Sequence, residues 1–270
     1  SKIFYYCYPY SRLNGLNFIY NSLQFINLVD MKKYLWLVIL ALMIYGVGER
    51  YNIISGNGNK KQVVFLGDSI TEEGRTLELG FLNLIEETVD ANKFNIIGKG
   101  ISGNKVSDLL LRYEEDVLAQ DPDIVFIYIG VNDVWHTYFD IPYLLNPQGM
   151  VTPLSNIVFY EKSLRKIITD IKRRNAKIIL CTPTVIGELL TFKGAMGIKR
   201  DQELDAFSWV VRNLASEFNT ELLDLRTIFK NYISKNNPEN KAKGILTTDG
   251  VHLNDFGNQL VAENMLNYIK

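Results

Sequence analysis

The run Ile124-Val125-Phe126-Ile127-Tyr128-Ile129 is apolar at every position. A strand with one face in water alternates apolar and polar residues, whereas a strand covered on both faces has no such need. A run like this belongs inside a parallel sheet with helices packed on each side. Parallel neighbours require crossovers long enough to hold a helix, and the remaining sequence has that rhythm. Val63 to Leu66, Phe94 to Ile97, Lys177 to Cys181 and Glu221 to Asp224 read as further short strands. Between them, apolar residues recur at helical spacing: Leu77, Phe81, Leu84, Ile85 and Val89, then Val106, Leu109, Leu110, Tyr113 and Val117. Two later helices carry Val158, Leu164, Ile167, Ile168 and Ile171, and Leu204, Phe207, Val210, Val211, Leu214 and Phe218. Asn254 is placed to cap a closing helix that runs to Lys270. Residues 134–154 and 184–197 read as irregular insertions and 225–248 as mixed structure. Strand and helix alternate throughout, which predicts an α/β protein with helices on both faces of the sheet.

The first fifty residues differ from the rest. Lys32-Lys33 precede Tyr34 to Tyr45, a stretch without charge, and Gly46-Val47-Gly48 follows. That order matches the basic, apolar and small-residue regions of a signal peptide starting at Met31 and cleaved near Gly48. The apolar stretch falls short of the ~20 residues that span a bilayer comfortably. An uncleaved anchor over 32–48 is the alternative, and residues 1–30 read as translated leader or disordered chain. The domain then occupies 49–270, and the protein is expected to be exported, periplasmic or secreted. Cys181 is the one cysteine in that portion, so no internal disulfide is expected, and its place after Ile178-Ile179-Leu180 predicts a buried thiol. The net charge of −1 carries no footprint for nucleic acid. The run Lys172-Arg173-Arg174 reads as a solvated helix end.

The polar residues that remain sit at strand ends. Gly67-Asp68-Ser69 follows the first strand, Gly103 the second, Asn132 the third, and Asp249-Gly250-Val251-His252 precedes the last helix. In an open parallel sheet the strand C-termini share one edge, so these positions converge. Acyl transfer needs a nucleophile, a base, a group that orients the base, and donors for the developing oxyanion. The sequence holds two histidines. His252 has Asp249 three residues before it, in register to accept from one ring nitrogen while the other takes a proton from Ser69. His136 has no acid in comparable register and reads as a rim residue. The amides of Ser69 and Gly103 and the side chain of Asn132 are the oxyanion donors. Asp68, Trp135 and Tyr138 are expected substrate contacts, and Phe139, Tyr143 and Phe192 add aromatic character to the insertions. Each residue also has a plainer reading: Asp68 and Ser69 as a helix cap, Asn132 as a loop-stabilising Asx turn, the aromatics as packing.

Two other patterns point elsewhere. Gly98-x-Gly100-x-x-Gly103 matches a dinucleotide fingerprint, but it follows the second strand, and the acidic residue that fingerprint requires is misplaced. Ser69 is followed by Ile70-Thr71 rather than x-Gly, which removes the GxSxG elbow. No HExxH or CxxC occurs, so neither a metal nor a cofactor is expected.

Taken together, Gly67-Asp68-Ser69, Gly103 within Gly-Ile-Ser-Gly-Asn, Gly130-Val131-Asn132-Asp133 and Asp249-x-x-His252 resemble the SGNH hydrolase (GDSL-type esterase/lipase) family, in family order. The resemblance implies a three-layer α/β/α sandwich, flavodoxin-like, with a central parallel sheet of about five strands. It also implies a serine esterase with Ser69 as nucleophile, His252 as base, Asp249 as its support, and Gly103 and Asn132 lining the oxyanion hole. Members act on lipids, acyl thioesters and acetylated carbohydrates. A small-molecule or glycan ester carrying short acyl groups is the expected substrate here. A lipase, lysophospholipase or thioesterase is the alternative within the family, and a non-catalytic glycan-binding module the alternative outside it.

Overall fold

The computed structural model describes residues 60–136, 153–190 and 197–270, all within one compact unit, Asn59–Lys270. The N-terminal segment and Tyr138, Phe139, Tyr143 and Phe192 lie outside the described residues.

Five strands form one sheet: β1 (Lys61–Gly67), β2 (Phe94–Gly100), β3 (Ile124–Tyr128), β4 (Lys177–Cys181) and β5 (Glu221–Leu223), in the order β2-β1-β3-β4-β5. Every pairing is parallel. All five positions of β3 are buried, as its composition demands. The aromatic rings of Phe65 on β1 and Phe126 on β3 stack 4.5 Å apart, and Phe81 meets Phe65 edge-on at 6.3 Å. Such pairs add ~0.5–1.5 kcal/mol each beyond the area they bury.

The helices are α1 (Ser69–Thr76), α2 (Phe81–Thr88), α3 (Val106–Asp116), α4 (Val131–Trp135), α5 (Pro153–Lys172), α6 (Gly197–Phe218), α7 (Leu225–Asn236) and α8 (Asp255–Leu266). With the parallel sheet at the centre they make the three-layer α/β/α arrangement.

The register of the sheet positions the site. Gly67 pairs with both Gly100 and Tyr128, Tyr128 with Cys181, and Cys181 with Leu223. The strands therefore end level, and whatever follows each one lies on a common rim. The chain leaves β1 for β2 on one side and returns to β3 on the other, which puts a topological switch point at β1. Ligand sites in open α/β sheets form at such points.

Several elements differ from their sequence reading. The helix expected over Leu77 to Val89 is shorter, Phe81–Thr88, because Leu77 is the C-cap of the preceding helix α1 and Gly80 caps α2. A side chain at Gly80 would meet the Gly74 carbonyl at 2.4 Å, so the tight turn between the helices requires glycine there. Leu77 and Leu79 are consequently 43% and 47% exposed. Val158 is exposed rather than inward, out of phase with the buried Tyr160, Leu164, Ile167, Ile168 and Ile171 of its helix. The mixed segment after β5 begins with a full helix, α7, capped by Asp224, which accepts from the Thr227 amide. The closing helix stops at Leu266, and its Asn254 cap accepts from Gly257 N.

The glycine-rich match is also resolved. Gly98 and Gly100 lie inside β2. A Cβ on Gly100 would stand 2.2 Å from Glu72 N and 2.5 Å from Thr71 C, so this glycine lets the first turn of α1 sit on the sheet. The two residues serve packing, not a phosphate loop.

Candidate active site

Ser69 opens α1 directly beyond β1. At a first helical position the backbone N–H has no intrahelical acceptor, so it faces the rim as a donor. Asp68 is the N-cap, its side chain accepting from Ile70 N at 3.0 Å. Only 2% of Asp68 is exposed. Its carboxylate is spent at least in part on the helix it caps. Burial pushes its pKa up to about 7, against the lowering influence of the Ile70 amide, His252 and Arg112.

His252 arrives from the far end of the chain. Its Nε2 lies 2.9 Å from Ser69 Oγ, across 183 residues of sequence. Its Nδ1 lies 2.7 Å from Asp249 Oδ2. Asp249 Oδ1 accepts from the amides of Val251 and His252, both at 2.8 Å, so the carboxylate is fixed by its own turn. With Nδ1–H donating to Asp249, Nε2 is the acceptor that faces the serine hydroxyl. Partial burial alone would pull the imidazole pKa down. The hydrogen bond donated to Asp249 and the charges of Glu73, Asp249 and Asp68 outweigh it, and the pKa stands above the ordinary histidine value. Asp249 is held below the usual carboxylate range, burial being outweighed by its bonds to His252 and Val251. His136 is the C-cap of α4, its amide donating to the Asn132 carbonyl.

Gly103 has φ +78°, a conformation suited to glycine, and a Cβ there would meet nothing within 4 Å. The space beside its α-carbon is open. Asn132, near the start of α4, donates one Nδ2 hydrogen to the Asn104 carbonyl at 3.1 Å. A side-chain amide carries two donors, so that contact aims the group and leaves the second hydrogen for an oxyanion. Asp133 is turned away and buried, with both carboxylate oxygens 3.2 Å from Val106 N at the start of α3. Burial raises its pKa to about 7.

Three supporting residues escaped the sequence reading. Arg112 on α3 donates to the Gly67 carbonyl at 2.8 Å, the Lys99 carbonyl at 3.1 Å and Asn104 Oδ1 at 2.8 Å, and pairs with Asp116. One guanidinium thus ties the end of the nucleophile strand to the end of β2 and to the loop carrying Gly103. Glu72 fixes the same loop by accepting from Ser102 N at 2.9 Å. Glu188, 1% exposed, accepts from the amides of Ile245, Leu246 and Thr247 and from the Thr247 hydroxyl. It locks the segment after β4 to the chain that leads into Asp249. That segment is therefore partly core, with Val185 and Ile186 also buried. Nothing in the spacing of these residues signals their partners, most of which are backbone groups distant in sequence.

A cavity of about 500 Å³ adjoins the catalytic turn. Trp135, Ile186, Leu189, Arg200, Asp201, Lys230 and the Asp249–Val251 turn line it. Arg200 lies over the Trp135 ring at 4.8 Å. No group of three or more metal-ligating side chains occurs among the described residues.

A hydroxyl, an imidazole and a carboxylate hydrogen-bonded in series, beside backbone and amide donors on the rim of a parallel sheet, define a serine hydrolase. Residues 65–260 match the family model described as GDSL-like Lipase/Acylhydrolase, and the chain belongs to that family. It is 31% identical over 226 residues to an acetylxylan esterase of Geobacillus stearothermophilus, covering 78% of this chain and 95% of that protein. The crystal structure of the acetyl xylan esterase AlAXEase aligns at TM-score 0.67 and 39% identity, over 77% of this chain and all of that one. Axe2, the acetylxylan esterase from G. stearothermophilus, aligns at TM-score 0.60 and 29% identity, over 79% of this chain and 96% of that one. The chain is a carboxylic ester hydrolase.

Proposed function

We propose that this enzyme removes acetyl groups from an acetylated carbohydrate of the xylan type, outside the cytoplasm. The observation that carries the reading is the 39% identity to an acetyl xylan esterase across the whole length of that relative. The cavity beside Asp249 supports it, since its wall mixes Trp135 with Arg200, Asp201 and Lys230. A long acyl chain would call for an apolar tunnel, whereas a sugar takes stacking and hydrogen bonds together. Trp135, an expected substrate contact, lies in the wall of this cavity. The signal-peptide pattern of residues 31–48 supports export. No helix among the described residues is long and apolar enough to cross a membrane.

In the mechanism, His252 Nε2 takes the proton of Ser69 Oγ as that oxygen attacks the acetyl carbonyl. The amides of Ser69 and Gly103 and the side chain of Asn132 donate to the resulting oxyanion. The imidazolium, stabilised by Asp249, returns the proton to the departing sugar oxygen, leaving an acetyl-serine. Water, deprotonated by His252, then attacks the acetyl-serine, and acetate leaves as Ser69 regains its proton.

The test is acetate release from acetylated xylan, with p-nitrophenyl acetate, butyrate and octanoate alongside. The wild type releases acetate and prefers the acetyl ester, and Ser69→Ala does neither. Preference for octanoate, with no release from xylan, refutes the carbohydrate assignment.

A further inference from the structure

The catalytic turn borders a second hollow, an open groove of about 800 Å³. Its lining includes Leu77, Tyr232, Asn236, Thr248, Asp255 and Phe256. Phe256 is 56% exposed and Leu77 43%. The rings of Phe256 and Tyr232 lie 5.9 Å apart at 40°, an aromatic corner open to solvent. Beside it stand the amide of Asn236, the carboxylate of Asp255 and the hydroxyl of Thr248.

Two groove residues adjoin the catalytic machinery along the chain. Thr248 immediately precedes Asp249, and its amide donates to the His252 carbonyl at 2.8 Å. Leu77 ends the helix that Ser69 begins. At 1.5 Å per residue, the groove edge at Leu77 stands ~12 Å from the nucleophile. An acetyl group held at Ser69 does not reach that far, but a chain of linked sugars does. The lining also selects. An aromatic face stacks on the C–H face of a sugar, while a carboxylate, an amide and a hydroxyl accept and donate to its hydroxyls. A lipid would find charged Asp255 and polar Asn236 and Thr248 interrupting the apolar surface.

We propose that this groove is a distal subsite for the sugar chain that carries the ester, with a ring stacked on Phe256 and Tyr232 while an acetyl group several sugars away lies at Ser69. The inference rests on the acetylated-carbohydrate reading above and adds that the enzyme engages a polymer rather than a single sugar.

Phe256→Ala and Phe256→Trp are compared with wild type on acetylated xylan and on p-nitrophenyl acetate. Phe256 is 56% exposed and its ring faces Tyr232, so the small ester is turned over at the wild-type rate by both variants. On xylan, Phe256→Ala loses roughly 3- to 10-fold in kcat/KM through KM, the scale of one lost stacking contact, and Phe256→Trp restores it. Equal losses on both substrates would show a structural role and overturn the subsite. Unchanged xylan kinetics in Phe256→Ala would overturn it while leaving the carbohydrate reading intact. A wild type that cleaves p-nitrophenyl acetate but no acetylated glycan removes both.

Discussion

Arg112→Met keeps much of the side-chain stem and deletes the guanidinium. Gly67 O, Lys99 O and Asn104 Oδ1 then lose a donor, and Asp116 keeps only Lys99, at 3.5 Å. The Arg112 side chain is 15% exposed, so water replaces these contacts poorly. Hydrogen bonds to a charged group are each worth ~1.5–3 kcal/mol net. The contacts share one side chain and do not add, and Asp116 still has Lys99, so the expected loss of stability is about 1.5–3 kcal/mol. A separate loss should appear in turnover, because the Asn104 carbonyl aims Asn132. The ceiling is the complete removal of an oxyanion donor, ~10²–10³ in kcat, which is the expectation for Asn132→Ala. Arg112→Met should fall below that ceiling, on the order of 10–10²-fold in kcat with KM near wild type. Arg112→Lys keeps the charge beside Asp116 but not the planar fork, and should recover stability more than turnover. Urea unfolding and p-nitrophenyl acetate kinetics, measured where every variant is folded, separate the two effects. Wild-type kcat in a folded Arg112→Met would refute the idea that this guanidinium braces the oxyanion loop.

Two further outcomes depend on pH. Glu73 Oε1 lies 4.0 Å from His252 Nε2 and helps keep the imidazole pKa high. Only neutral His252 accepts the serine proton, so Glu73→Gln should move the acid limb of the kcat/KM profile to lower pH, as read from a full pH–rate series. A limb that stays put or rises would contradict this. Asp68 has a folded pKa raised from 3.8 to about 7 by burial. Its contribution to stability is therefore complete below pH 3.8 and lost as pH rises through about 7. Asn caps helices as well as Asp, so Asp68→Asn should raise Tm above pH 7 relative to wild type and lose that advantage near pH 4. Melts at several pH values check the sign.

Much of this architecture is legible in the chain because the decisive signals are local. A strand apolar on both faces can only be interior, and β3 is. Asp249 and His252 share one short turn, so their pairing needs no knowledge of the fold. The meeting of Ser69 and His252 does need it, and the alternation of strands and helices supplies it by sending every strand end to one rim. The misread helix start and the glycine decoy have physical causes. Leu77 falls at helical spacing from Phe81, yet Gly80 admits a turn between them that spacing alone cannot show. Gly98 and Gly100 imitate a phosphate loop because a helix packed tightly on a strand also demands residues without side chains. Arg112 and Glu188 stayed hidden because most of their partners are backbone groups, which leave no mark in the sequence.

The account stands on an activated hydroxyl at Ser69. Labelling the folded protein with a fluorophosphonate and mapping the adduct by peptide mass spectrometry tests it directly. A single adduct on Ser69, lost in His252→Ala while that variant keeps its fold, is the predicted result. An unlabelled wild type, an adduct on another residue, or undiminished labelling without His252 would contradict it.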